Sequence, residues 1–253
     1  MTTAAPNKVQ RPDGPGRAPV GGRPSARLRV RFRRGEEVKY ITHLDLMRFW
    51  ERALRRAGVA LAYSEGHTPH PRLSLAAPLA VGVTSSAELM DVFLTQRIAP
   101  RDFTRSVSAQ LPAGIEILEV AEVGLGLPSL QSEVRWARYR VEGPFGGAHE
   151  EARSAVDRFL AAESIPWEHM REKEVRKYDI RALVRDLWVD DAPPDSYALG
   201  MVLRCDNTAT GRPEQVVAAL GLPEPAVIHR QELVLASTSP AREAWRRAGR
   251  FVE

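Results

Sequence analysis

The sequence predicts an α+β fold with antiparallel sheets, and three observations carry that prediction. The stretch RLRVRFRR alternates strictly, with Leu28, Val30 and Phe32 on one side and Arg27, Arg29, Arg31 and Arg33 on the other, the period of a half-buried strand. In THLDLMRFWERALRRAG the apolar residues Met47, Trp50, Leu54 and Ala57 instead recur three or four apart, the period of a helix with one buried face. Beyond them, strand-period and helix-period segments follow one another in pairs almost to the end of the chain.

Taken in order, the elements justify themselves locally. Thr42 is placed to cap the first helix, with Asp45 reaching back as a capping box, and Gly58 ends it. LSLAAPLAVG reads as a strand interrupted at Pro78, and ELMDVFL, residues 88–94, as another strand. PRDFTRSVSAQL begins a helix at Pro100, and IEILEVAEVG alternates as a strand. The resulting order is that of the ferredoxin-like split βαβ unit, in which two helices cover one face of a four-stranded antiparallel sheet.

From Ser132 the pattern starts again. SEVRWARYRVEG reads as a strand, residues 148–162 as a helix, IPWEHMRE and SYALGMVLRCD as strands, PEQVVAALG as a short helix begun by Pro213, and AVIHRQELVL as a closing strand. KYDIRALVRDLWV fits either period. The expected fold is therefore two tandem ferredoxin-like (βαββαβ) domains at residues 27–125 and 132–236. A Pro/Gly/Arg-rich tail at 1–26, expected to be disordered, and a basic tail at 237–253 flank them. The short linker at 124–131 should pack the two sheets together with a cleft between them.

Composition narrows the function classes. The net charge of +4 sits in the first 27 residues, leaving 31 basic and 31 acidic side chains for residues 28–253, so the folded body is formally neutral. A single cysteine, Cys205, excludes an intrachain disulfide, and no run of about 18 apolar residues is present; the chain reads as cytoplasmic. A phosphate loop, a strand-linked dinucleotide loop, a nucleophile elbow and a zinc-protease helix are all missing. Cys205 reads as an ordinary thiol.

Two clusters remain. The arginine row would place Arg29, Arg31 and Arg33 at about 6.6 Å intervals along the open sheet face, near the spacing of phosphates in a single strand, with Arg34 and Arg48 adding charge beside it. Against this stands a face whose arginines pair with acids of the second domain, and the first strand has no aromatic pair to stack bases. The second cluster is SEGHTPHPRLS, where His67 and His70 suggest a metal, a Pro-stiffened structural loop, or an anion site made by His70 and Arg72. His43 and His70 are also weak candidates for the acid and base of an endoribonuclease-like or other hydrolase.

The run YITHLDLMRFWERALRRAGVALAYSEGHTPHPRLSLAAPLAVGVTSSAELMDVFL resembles the bacterial radical-SAM-associated (radical-SAM-linked) family of unknown function. The resemblance falls on Thr42, His43, Leu44, Asp45, Met47 and Arg48. It continues on Ser64, Glu65, Gly66, Pro69, His70, Pro71, Arg72 and Ser74, and more loosely on Asp179, Arg181, Arg212 and Pro213. His67 and Thr68 depart from the family pattern, which weakens the metal reading. The resemblance implies a stand-alone, non-catalytic accessory protein that binds no cofactor. Its partner, a separate radical SAM protein, would use S-adenosylmethionine and an iron–sulfur cluster. The arginine-faced strand, rather than the resemblance, points to RNA as a candidate substrate, met by Arg29, Arg31, Arg33, Arg48, His70 and Arg72, with no membrane and no metal involved. The alternative from another class is a structural interaction protein without nucleic acid.

Overall fold

The computed structural model describes residues 23–236 apart from Gly66, Ala148, Glu172 and Lys173. The tails predicted at either end fall, at residues 1–22 and 237–253, outside the described residues. In chain order the elements are β1 (Ala26–Arg34), α1 (His43–Arg56), β2 (Leu73–Leu75), β3 (Thr84–Leu94), α2 (Pro100–Ser108) and β4 (Ile115–Val123). A single turn, α3 (Leu130–Glu133), leads into β5 (Val134–Pro144), α4 (His149–Ala161), β6 (Pro166–Arg171), β7 (Glu174–Asp179), β8 (Val184–Asp190), β9 (Ser196–Arg204), α5 (Pro213–Ala219) and β10 (Val227–Leu235).

Local rules explain most boundaries. Thr42 caps α1 by accepting from the Asp45 N–H at 3.2 Å, while the Asp45 carboxylate accepts from the Thr42 hydroxyl at 2.7 Å rather than from its backbone. Gly58 ends the helix at φ 71°, where only glycine is unstrained, and Val59 N–H closes the turn on Leu54 C=O. The ambiguous KYDIRALVRDLWV resolves into the end of β7, a 3₁₀ turn at Arg181–Leu183, and β8. β2 is shorter than expected: after Leu75 the chain keeps one more bond to β3, Ala76 N–H to Leu89 C=O at 2.9 Å, and then Ala76 and Ala77 bury their side chains in the core of the other half.

The fold is α+β with an antiparallel-dominated sheet. Seven strands run in the order β4-β1-β3-β10-β5-β9-β8, with β2 also pairing β3 and β6-β7 forming a separate hairpin. The expectation of two sheets packed across a cleft is corrected: the halves meet edge to edge in one sheet. Their junction is the parallel pairing of β3 and β10, at His229 opposite Thr84 and Arg230 opposite Ser85. Two cores lie along it. One gathers Leu28, Val30, Phe32, Trp50 and Phe103 beneath α1 and α2, with Trp50 edge-on to Phe32 at 5.0 Å. The other gathers Val141, Val156, Phe159, Leu199 and Val216 with α4 and α5.

So short a parallel ladder needs help from side chains. Arg230, 1% exposed, donates to both carboxylate oxygens of the equally buried Glu88 at 2.8 and 2.5 Å. Its remaining N–H groups reach Pro78 C=O and Ala77 C=O at 3.1 and 3.2 Å. Burial alone would depress the guanidinium pKa, but Glu88 outweighs it and raises it. On the opposite side of the ladder, the ring nitrogens of His229 bond the hydroxyls of Thr84 at 2.7 Å and Ser86 at 2.6 Å.

Removing one member of a buried pair leaves the other charge stranded, at a cost of about 3–5 kcal/mol. Arg230→Ala should therefore shift the urea midpoint strongly. Glu88→Leu combined with Arg230→Met should recover most of that loss, and equal loss in the double variant would refute the pairing account. The imidazole adds a pH dependence. Burial lowers the His229 pKa, so the folded state holds the neutral ring while the unfolded state takes up a proton near about pH 6.5. Its contribution is complete above that pH and is lost as pH falls below it. Stability measured from pH 7 to pH 5 should fall less steeply in His229→Gln than in the parent chain.

Candidate functional site

The arginine row on β1 proves to be a row of ion pairs. Arg27, 2% exposed, donates to Asp91 at 3.1 and 2.5 Å, and its other N–H groups reach Leu127 C=O and Pro128 C=O, both at 2.9 Å. The linker thus roofs this end of the face. Arg29 donates to the same fully buried carboxylate at 2.9 and 3.2 Å. Farther along, Arg31 pairs with Glu119 at 3.5 Å and Arg33 with Glu116 at 2.9 Å, all four side chains being exposed. These acids are register partners on β3 and β4 of the same half, not residues of the second half. Arg34 is buried, donating to Val38, Lys39 and Ile41 carbonyls.

The pairs differ in what they permit. An exposed pair is worth under about 1 kcal/mol, so Arg31 and Arg33 can trade a carboxylate for another anion. Arg27 and Arg29 cannot, because Asp91 would be left buried without its cations.

The remaining predicted residues lie on the surface of the first half. Arg48 is exposed and contacts Asp45 one turn back at 3.3 Å. His43 opens α1 and is exposed, as is His70, and neither ring hydrogen-bonds a described residue. His70 instead closes its loop through the backbone: Ser64 N–H donates to His70 C=O at 2.8 Å, and His70 N–H to Ser64 Oγ at 3.0 Å. Arg72 emerges from the loop exposed, with its guanidinium 4.8 Å from the Phe93 ring that Arg27 also covers at 5.3 Å. Among the described residues no group of three His, Cys, Asp or Glu could hold a metal.

The geometry points elsewhere. A cleft of about 1000 Å³ opens where the β6-β7 hairpin, the loop after β9 and the segment 76–78 converge. The hairpin brings His169, Arg176 and Tyr178 to its wall, and the loop brings Asp206, Thr208 and Arg212. Lys177 is paired with Glu168 at 2.6 Å, whereas Arg176 and Arg212 make no ion pair among the described residues. Tyr178 donates to Gln215 at 2.5 Å; burial pushes its phenol pKa up, against the pull of Arg212.

The acid in the wall is already spent. Burial pushes Asp206 upward, but hydrogen bonds from Thr208 and Arg204 and from the N–H groups of Thr208 and Ala209 outweigh it and hold the carboxyl below its usual range. Cys205, also in the wall, has its thiol pushed up by burial, so it is no thiolate at neutral pH. The cleft therefore presents two guanidiniums without an ion pair among the described residues, beside hydroxyl and amide groups, a chemistry suited to phosphate oxygens.

Sequence reasoning missed this site because it gathers residues from five stretches of chain up to about 140 positions apart. The signal in the sequence is small: the resemblance marks Asp179, Arg181 and Arg212 without giving them a place. Asp179 accepts from Ile165 N–H and Arg181 N–H, both at 2.9 Å, and so clamps the two ends of the hairpin. Asp179→Ala removes the acceptor that both donors share and so loosens the base of the hairpin. Limited proteolysis should then cut within residues 166–179 well before the β1–β4 half; unchanged protection of the hairpin would refute the clamp.

No helix of the described residues is long and apolar enough to cross a membrane. The fold is similar to that in a Cbf5-Nop10-Gar1 complex, at 7% identity and a TM-score of 0.44, covering 82% of this chain and 48% of that one. It is similar also to the archaeal box H/ACA sRNP Nop10-Cbf5 complex, at 10% identity and 0.41, covering 83% and 48%. An H/ACA RNP bound to a substrate RNA containing 2'-deoxyuridine matches at 10% and 0.41, covering 82% and 47%. The chain thus spans about half the length of these structures. No curated protein matches the sequence. A family model does match, over residues 27–213, and by it the chain belongs to the family described as uncharacterized protein conserved in bacteria (DUF2344).

Proposed function

We propose that this chain is a non-catalytic accessory protein that holds RNA through the cleft at Arg176 and Arg212 and presents it to a separate radical SAM enzyme. The observation that carries the RNA half is the pairing state of the cations. Those of the alternating row on the first strand all meet acids, Arg27 and Arg29 sharing Asp91, while the two guanidiniums of the cleft meet none among the described residues. A cleft of about 1000 Å³ lies at the upper end of small-ligand pockets, and its Asn207, Thr208 and Thr210 groups favour a polar, extended ligand. Arg31, Arg33, Arg48, His70 and Arg72 are exposed and able to meet the backbone of the same RNA beyond the cleft.

The partner half rests on the resemblance around residues 42–48 and 64–74. It gains support from Tyr40, Leu44 and Val81, large apolar side chains 72%, 65% and 56% exposed, at and near the start of α1. The enzyme partner would supply S-adenosylmethionine and the iron–sulfur cluster. The finer fold reading, two ferredoxin-like units fused into one sheet, is supported by strand order. β4-β1-β3-β2 in the first half corresponds to β10-β5-β9-β8 in the second, with the β6-β7 hairpin inserted before β8.

Fluorescence anisotropy with a labelled single-stranded RNA across a salt series tests the RNA half. Arg176→Ala with Arg212→Ala should weaken binding at least tenfold and flatten the salt slope by about 0.7 for each phosphate that is no longer neutralised. Arg31→Ala with Arg33→Ala should have the smaller effect. Unchanged affinity and slope in the cleft variant would overturn the proposal.

A further inference from the structure

We propose a second nucleic-acid surface, an aromatic platform on β5, β9 and β8 that stacks unpaired bases; it rests on the RNA reading above and names single-stranded RNA as the substrate class. The alternation of the strands divides their two faces. Ala137, Tyr139, Val141 and Leu187 are buried in the second core, so Trp136, Arg138, Arg140 and Trp188 point to the other face, where they are half-buried. Register sets them side by side. Trp136 lies opposite Arg204, Arg138 opposite Val202, and Trp188 opposite Gly200.

The Trp188 ring is held against the sheet rather than merely left outside. A Cβ at Gly200 would fall 2.0 Å from Cε2 of Trp188, so the indole lies directly on the backbone of β9 in space that only glycine leaves open. The indole N–H donates to Asp190 at 2.8 Å and fixes the ring in its plane. A guanidinium lies over each ring: Arg138 over Trp188, 5.5 Å from its centre, and Arg185 over Trp136, 5.6 Å from its centre. Trp50, by contrast, is wholly buried in the first core.

This combination fits a single strand better than a protein partner. An aromatic ring offers stacking to any base, and a guanidinium lying over it extends the stack by taking a base on its own outer plane. A solvated sheet face needs neither the indoles nor a glycine in the middle of a central strand. The aromatic pair absent from β1 is thus present, across two strands, in the second half.

Tryptophan fluorescence of the full chain, titrated with a single-stranded oligoribonucleotide and separately with inorganic polyphosphate of equal charge, tests the platform. RNA should quench emission and polyphosphate should not. Trp136→Leu with Trp188→Leu should abolish most of the quench and weaken RNA binding about tenfold or more, while Trp188→Tyr, which keeps a stackable ring, should retain most of the affinity. An unchanged affinity in the leucine variant, provided its melting curve matches the parent, overturns the platform, as does equal quenching by polyphosphate. If that variant binds normally while the Arg176 and Arg212 variant fails, the platform falls and the cleft stands. The reverse pattern retains the platform and rejects the cleft, and absence of RNA binding in the parent rejects both. A dimer in the parent that the leucine variant dissolves would assign the face to a second copy of the chain and overturn the proposal.

Discussion

The buried contact between Glu88 and Arg230 is the interaction on which the rest of the molecule depends. The two halves of the sheet could have folded as separate bodies, but β3 and β10 share two register positions of parallel ladder, and that is too little to hold them. A bidentate pair in low dielectric supplies the missing attraction and also the specificity, since sliding β10 along β3 by one residue would turn Arg230 to the opposite face and strand Glu88. Tyr139, its phenol pushed up to about 12 by burial, and the Cys205 thiol, pushed up by burial too, lie close enough to influence Arg230, so the seam runs through largely dry surroundings.

That pair also shapes the cleft. The two N–H groups of Arg230 not given wholly to Glu88 reach the carbonyls of Ala77 and Pro78, and those residues form one wall of the cleft while Ala76 and Ala77 pack into the second core. A segment of the first half is therefore held against a hairpin and a loop of the second. The geometry of Arg176 and Arg212 is tied, through this wall, to a charge they never touch.

Sequence pattern was a good guide wherever one element decides its own fate. The alternation of RLRVRFRR, the helical spacing of Met47, Trp50 and Leu54, the cap at Thr42 and the stop at Gly58 all appear in the structure because each depends on neighbours within a few residues. What could not be read was pairing at long range. Asp91, Glu116 and Glu119 neutralise the arginine row only once register sets them beside it. Nothing in AVIHRQELVL says that its arginine will meet a glutamate 142 residues earlier. The cleft was illegible for the same reason, and KYDIRALVRDLWV was ambiguous because it contains a hairpin strand, a 3₁₀ turn and a sheet strand without a Gly or Pro to mark the joints.

The contrast between row and cleft shows why counting cations misleads. The folded body is neutral overall, so a basic site can exist only where the acids are engaged elsewhere. On β1 each of Arg27, Arg29, Arg31 and Arg33 meets a carboxylate of a neighbouring strand, and the strongest of those contacts are roofed by the linker. In the cleft the acid of the wall, Asp206, is consumed by Arg204 and by its own loop, and Glu214, the acid nearest Arg212 in sequence, makes no ion pair with it among the described residues. Positive potential at a neutral protein surface is set by which acids are already satisfied, and here that criterion selects Arg176 and Arg212 over the longer and more conspicuous run of arginines.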